Sequence, residues 1–140
     1  MTDCIFCDIL SGKAPSSIVY RDNLCTVFMV LEPVNPGHLL VVPEDHAAYL
    51  ADLDEEIGAH LFSIAQRIAA ALRLSGIRCE GVNMFLADGE AAGQEVFHVH
   101  LHVFPRYEGD GFGLKFGPKY GIRPEREELD AVAEQIKNAL

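Results

Sequence analysis

The sequence predicts an α+β domain built on an antiparallel sheet. Three observations predict it. Five short runs carry the alternating or continuous apolar pattern of strands, and most follow one another directly. One long run instead repeats its apolar residues at helical spacing, and a second helical pattern closes the chain. About half of the 140 residues, 49 %, are apolar, which suits a single domain over 1–140 with one substantial core.

The elements read in order. Residues 4–10 suit a short helix ended by Gly12, with Pro15 beyond. Residues 17–20 and 24–31 are strand-like, joined by Arg21-Asp22-Asn23 as a tight turn. Residues 33–37, Pro-Val-Asn-Pro-Gly, form a loop, and 38–42 read as a buried strand closed by Pro43. Asp52, with Glu55 three residues on, suggests a capping box for the long helix. Ile57, Leu61, Ile64, Ile68 and Leu72 then mark its apolar stripe, and Gly76 its end. Residues 81–86 and 96–104 are the last two strands, with a glycine-flanked loop between them that delivers Gln94. Residues 109–121 hold five glycines and read as a mobile loop, and Pro124 opens a C-terminal helix near its first turn.

The last strand carries the chemistry. His98, His100 and His102 alternate with Val99, Leu101 and Val103. On a strand the three imidazoles share one face, each ~7 Å from the next at a rise of ~3.3 Å per residue. Such a row can attack, move a proton or bind a metal. Neighbouring alternate positions seldom supply three ligands to one tetrahedral ion. The favoured reading is therefore one reacting histidine with flanking histidines in support.

A net charge of −10 and the lack of any basic stripe argue against polymeric nucleic acid as a partner. A small anionic ligand remains open, because backbone N–H groups and histidines bind phosphate without a positive overall field. The N-terminal residues lack a signal-peptide pattern and no run is long enough to span a membrane, so a cytoplasmic location is expected. Cys4-x-x-Cys7 is a candidate metal or redox motif, without a thioredoxin-like pattern around it. Cys25 and Cys79 read as core thiols.

His98-Val-His-Leu-His-Val-Phe104 closely resembles the signature of the histidine triad (HIT) superfamily of nucleotide hydrolases and transferases. The likeness extends to Cys4-Ile-Phe-Cys7, Asn35-Pro-Gly-His38, Ala92-Gly-Gln94 and Pro105-Arg106, and is similar to bacterial members. It implies a five-stranded antiparallel sheet with one long helix and a short N-terminal helix, paired as a homodimer with a continuous sheet. It implies His100 as a nucleophile that attacks the α-phosphate of a purine nucleotide derivative. A covalent nucleotidyl-histidine forms, and water releases the nucleoside monophosphate. A neutral imidazole titrating near ~6.5 can attack at neutral pH without a separate strong base.

By the same resemblance, His38, Gln94 and His102 would surround the phosphate. Ile5, Phe6, Ile9, Phe28 and Leu31 would form the apolar base pocket, with plain core packing as their other reading. Cys4, Cys7, His46 and His98 would bind a structural zinc, a good tetrahedral set. If His98 is a ligand, it is not free to protonate a leaving group, and the zinc supports the nucleophile from behind.

Two positions depart from the best-studied members of the family. Val30 stands where an Asp or Asn commonly holds the ribose, and Ala87 where an Asn or Gln contacts phosphate or leaving group. Neither can form those hydrogen bonds. Asp88 and Glu90 are near enough in sequence to compensate. Glu95 stands where some members carry a serine near the leaving group; a carboxylate there either disfavours an anionic leaving group or, on the strand alternation, points to solvent. The expected activity is hydrolysis of nucleoside phosphoramidates or related mixed nucleotides. The alternatives are hydrolysis of dinucleoside polyphosphates, a nucleotide-binding regulatory module with little activity, and a zinc-stabilised interaction domain.

Overall fold

The computed structural model describes residues 3–140. Its elements are α1 (Ile5–Leu10), β1 (Ile18–Arg21), β2 (Cys25–Met29), β3 (Leu39–Pro43), α2 (Glu55–Leu74), β4 (Gly81–Phe85), β5 (Leu101–Arg106) and α3 (Arg126–Ala139). The five strands form one antiparallel sheet in the order β1-β2-β3-β5-β4. This is the α+β architecture that the sequence predicts.

Period-two alternation decides what lies on each face of the sheet. Cys25 and Val27 of β2, Leu39 and Val41 of β3, and Leu101 and Val103 of β5 all point to one side. There they meet Leu61, Ile64, Ala65, Ile68 and Leu72 of α2 in the main core. Their neighbours Phe28, Leu40 and Val42 point to the other side, against Cys4, Phe6 and Leu10. β3 is thus buried on both faces, which its continuous apolar run requires. Cys25 is fully buried, and that burial pushes its thiol up to about 12.

Turns and caps explain the joints. Asp22 Oδ1 accepts from the N–H groups of Leu24 and Cys25 and closes the β1–β2 hairpin. Its Oδ2 accepts from Tyr20 and lies 2.7 Å from His60 Nε2, which ties the hairpin to α2. Gly37 has φ +103°, and a Cβ there would sit 3.1–3.2 Å from side-chain atoms of Pro105, Ile77 and Leu72, so a larger residue would strain the backbone and push these neighbours aside.

Several boundaries differ from expectation. The N-cap of α2 is Asp54, whose side chain accepts from Glu56 N, and Asp52 instead ends a single 3₁₀ turn. Pro124 lies outside α3, before its N-cap Glu125. Residues 109–121 form no regular element, yet their first residues are tied down. The Arg106 guanidinium holds both oxygens of Asp110 and the carbonyl of Phe112. α3 buries none of its residues within this chain.

The most consequential difference concerns the histidine strand. The predicted strand 96–104 is regular only from Leu101, so His98 and His100 precede β5. The β3–β5 pairing stops at Val41↔Leu101, although Val42 and Pro43 still belong to β3, so residues 96–100 lie outside the ladder. One bond, Val99 N–H to Ala47 O at 2.8 Å, pins this stretch instead. The alternation survives, because Val99 still enters the core with Leu101 and Val103.

Candidate active site

The side of the sheet facing α1 holds a cavity of about 570 Å³. Ile5, Phe6 and Ile9 of α1 line it, with Phe28, Val30 and Leu31 at the end of β2 and just beyond. His38, His100 and His102 line it as well. The five residues expected at the base pocket are therefore all in this wall. Phe6 and Phe28 belong to the small core at the same time, with their rings edge to face at 5.6 Å.

Protons on the three cavity histidines can be assigned from the backbone outward. His100 Nδ1 lies 2.7 Å from His98 O. A carbonyl only accepts, so Nδ1 carries the proton and the lone pair sits on Nε2. The Val34 N–H donates to His38 Nδ1 at 3.0 Å, so the proton of neutral His38 is on Nε2. That proton is donated to His102 Nδ1 at 2.9 Å. Neutral His102 in turn carries its own proton on Nε2. Two backbone groups thus leave His100 Nε2 with a free lone pair and His102 Nε2 with a proton to donate. The rings of His100 and His102 are 5.1 Å apart, and Phe6 packs edge-on against His100 at 4.9 Å.

Burial keeps these rings neutral. It lowers the pKa of His38 and of His100, the latter opposed by its bond to His98 O. Burial also pushes His102 down to about 4, helped by His100 and His38 beside it. An unfolded histidine titrates near ~6.5. As pH falls from there toward 4, the unfolded chain binds a proton that folded His102 refuses, so stability must fall with pH in this window. The melting temperature of the protein is expected to drop between about pH 6.5 and 4.5. His102→Gln should flatten that slope, and an unchanged slope would refute the assignment of a neutral His102.

Behind the cavity lies a second cluster. Sγ of Cys4 and Cys7 and the ring nitrogens of His46 and His98 all lie within 4.8 Å of one another. Cys4 Sγ is 3.5 Å from His98 Nδ1, Cys7 Sγ is 3.4 Å from His46 Nδ1, and the two Nδ1 atoms are 3.1 Å apart. A tetrahedral zinc, with Zn–S of about 2.3 Å and Zn–N of about 2.05 Å, has S···N edges of about 3.5 Å and N···N edges of about 3.3 Å. The four donors therefore fit such an ion. His98 Nε2–H donates to Pro43 O at 2.9 Å, which leaves its Nδ1 lone pair facing the cluster. His98 joins the two sites, since its ring faces the cluster and its carbonyl holds His100.

Gln94 does not reach the cavity. Its Oε1 accepts from Gly89 N and its Nε2 donates to Ala48 O and Val96 O, so both ends of the amide brace the backbone before the triad. Ala87 is buried outside the cavity wall, and Asp88 accepts from Leu50 N instead of compensating for it.

The cavity wall also includes residues that the sequence reading did not single out. Phe104 continues the alternation of His100 and His102 and so was legible in the pattern. Phe85 pairs across the sheet with His102, and Phe112 is set by the Arg106–Asp110 pair; neither has a local signal. The charged residues lining the cavity are Glu32 and Glu95, with no Lys or Arg among the described lining residues.

A HIT domain family model matches residues 11–109. The chain belongs to the HIT family. A HIT family protein from Bacillus subtilis has the same fold, with a TM-score of 0.90 and 35 % identity, covering 99 % of this chain and 98 % of that one. A zinc-bound histidine triad family protein from Mycobacterium smegmatis aligns at a TM-score of 0.77 and 39 % identity, covering 99 % and 98 %. An adenosine 5′-monophosphoramidase from Schizosaccharomyces pombe is 33 % identical over 138 residues, 98 % of each chain. No helix among the described residues of this HIT domain is long and apolar enough to cross a membrane.

Proposed function

We propose that this HIT protein hydrolyses nucleoside 5′-phosphoramidates through His100. The observation that carries the reading is the pairing of a free His100 Nε2 lone pair with an adjacent His102 donor in an apolar cavity. The base rests against Ile5, Phe6, Ile9, Phe28 and Leu31, and the α-phosphate lies among His38, His100 and His102. His100 Nε2 attacks phosphorus, and the phosphorus–nitrogen bond breaks. The amine leaves with the bonding pair and takes a proton from solvent. Nδ1–H keeps its bond to His98 O, which stabilises the cationic nucleotidyl-imidazole. Water then attacks phosphorus, loses a proton to solvent and restores neutral His100. His102 Nε2–H holds a phosphoryl oxygen through both steps. Gln94 supports the site through the backbone.

Charge supports an amine as the leaving group. A polyphosphate leaving group is a polyanion and needs cations around it. Here the wall offers Glu32 and Glu95 and no Lys or Arg among the described lining residues. Like charges at short range raise its energy, whereas an amine meets no such penalty. The activity of the 33 % identical S. pombe relative points the same way.

We further propose a structural zinc held by Cys4, Cys7, His46 and His98, supported by their separations and by the zinc-bound M. smegmatis relative. All four donors are used in holding the ion, so it serves architecture rather than water activation.

The test is AMP release from an adenosine phosphoramidate and from a diadenosine polyphosphate. The expected kcat/KM ratio favours the phosphoramidate by about tenfold or more, since each ~1.4 kcal/mol of repulsion is a factor of ten. A reversed ratio overturns the leaving-group assignment. Release from neither substrate overturns hydrolysis and leaves a nucleotide-binding module.

A further inference from the structure

Among the described residues, one buried side-chain oxygen or nitrogen has no hydrogen-bond partner in the protein: Ser16 Oγ. Buried polar groups are almost always paired, so an orphan requires a reason. Ser16 follows Pro15 and precedes β1, and both residues line the cavity. Its neighbour Ser17 accepts from Met29 N, which sets this stretch beside the end of β2, next to Phe28 and Val30. Half-buried Ser16 therefore lines the part of the cavity walled by α1 and β2, with its Oγ turned out of the open space in this rotamer. The other polar side chains of the lining differ in kind. The histidines are paired through backbone and one another, and Glu32 and Glu95 are exposed. Ser16 is the polar group sequestered among apolar walls.

We propose that the Ser16 hydroxyl is a hydrogen-bonding contact for the polar edge of the base of a bound nucleotide. The inference rests on the nucleotide reading above and assigns a specificity residue within it. Flat apolar walls such as Phe6 and Phe28 hold the faces of a base but cannot orient it in its plane. A hydroxyl brings one donor and two acceptor positions, so it can pair with a ring nitrogen, an exocyclic amine or a carbonyl. Since the Oγ is inaccessible as it stands, the contact requires a rotation of the side chain to another staggered rotamer, for which the hydroxyl has no hydrogen bond to give up. Because the base lies at this end and the phosphate at His100, the contact is made equally before and during phosphoryl transfer. It therefore acts on binding rather than on the chemical step.

The experiment is calorimetric titration of AMP, GMP and ribose 5-phosphate into wild type and Ser16→Ala, with the melting temperature of each ligand-free protein. Ser16→Ala is expected to weaken the tighter-binding of AMP and GMP by about three- to tenfold. Its affinity for ribose 5-phosphate should stay the same. The ligand-free variant should melt no lower than wild type, because the substitution removes a hydroxyl that had no partner to lose. Opposite signs for stability and base affinity are what a purely structural serine would not produce. Unchanged AMP and GMP affinity overturns the inference, as does a lowered melting temperature with all three ligands weakened alike. Wild type that binds neither mononucleotide overturns the nucleotide reading and the inference with it. Binding that persists undiminished in the variant overturns the inference alone.

Discussion

His100→Ala is expected to lower turnover of an adenosine phosphoramidate by at least about 10³-fold while leaving the fold and the metal content intact. The size of the effect follows from the role. In the proposed reaction His100 supplies the atom that bonds to phosphorus, and nothing nearby can replace it. The ring of His102 is the closest alternative at 5.1 Å, but its Nδ1 is taken by His38 and its Nε2 carries a proton. His98 presents its Nδ1 to the cysteines. The variant also removes the donor to His98 O, a bond at the edge of the cavity rather than in the main core. The melting temperature should therefore change little. Mass spectrometry of wild type quenched during turnover should find the added mass of a nucleotidyl group on the peptide containing His100. Turnover within tenfold of wild type, or an adduct on another residue, would remove His100 from the nucleophile's role.

The second large effect concerns the cysteine–histidine cluster. Cys4→Ser with Cys7→Ser is expected to abolish zinc binding, lower the melting temperature by about 10 °C or more and reduce kcat by about 10- to 100-fold. α1 has six residues, too few to be stable alone. Cys4 caps that helix and Cys7 lies within it, while His46 and His98 belong to the stretches on either side of the Val99–Ala47 bond. A zinc ion would lock all three pieces together. The catalytic loss follows by two routes. Phe6, one residue before Cys7, packs on His100 at 4.9 Å. The carbonyl that orients His100 belongs to His98 itself. Chelator treatment of wild type should reproduce both losses, and added zinc should reverse them. Protein purified without zinc that melts and turns over like wild type would refute the metal assignment.

Much of this was readable from residue patterns because it rests on local periodicity. Strand alternation assigned each of Val99, Leu101 and Val103 to the core and each histidine to the opposite face, and that held even where the ladder did not. The stripe from Leu61 to Leu72 marked the inner side of α2 for the same reason. Strand ends were less legible, because they depend on which backbone groups pair between segments far apart in the chain. His98 and His100 lie outside β5 because the β3–β5 pairing stops at Val41↔Leu101 and the Val99 N–H goes to Ala47 O instead. Gln94 resembled a phosphate ligand by position, yet its amide is spent on Gly89, Ala48 and Val96. No pattern within the segment could reveal that Ala48 is close by.

The sequence by itself determined the α+β class, the apolar stripe of α2 and the alternation that sets three imidazoles opposite Val99, Leu101 and Val103. Each depends on residue type and on spacing of two or 3.6, which the backbone imposes locally. The family resemblance, rather than any spacing, pointed to the four candidate metal ligands and to the apolar residues of the cavity wall. Only the tertiary structure decided which ring nitrogens carry protons and which carry lone pairs, because the tautomers are dictated by the Val34 amide and the His98 carbonyl. It also gathered Cys4 and Cys7 with His46 and His98, brought Phe112 to the cavity, and left the Ser16 hydroxyl buried without a partner. These contacts join residues far apart in the chain. Their geometry follows from how the sheet and helices pack, which no local spacing records.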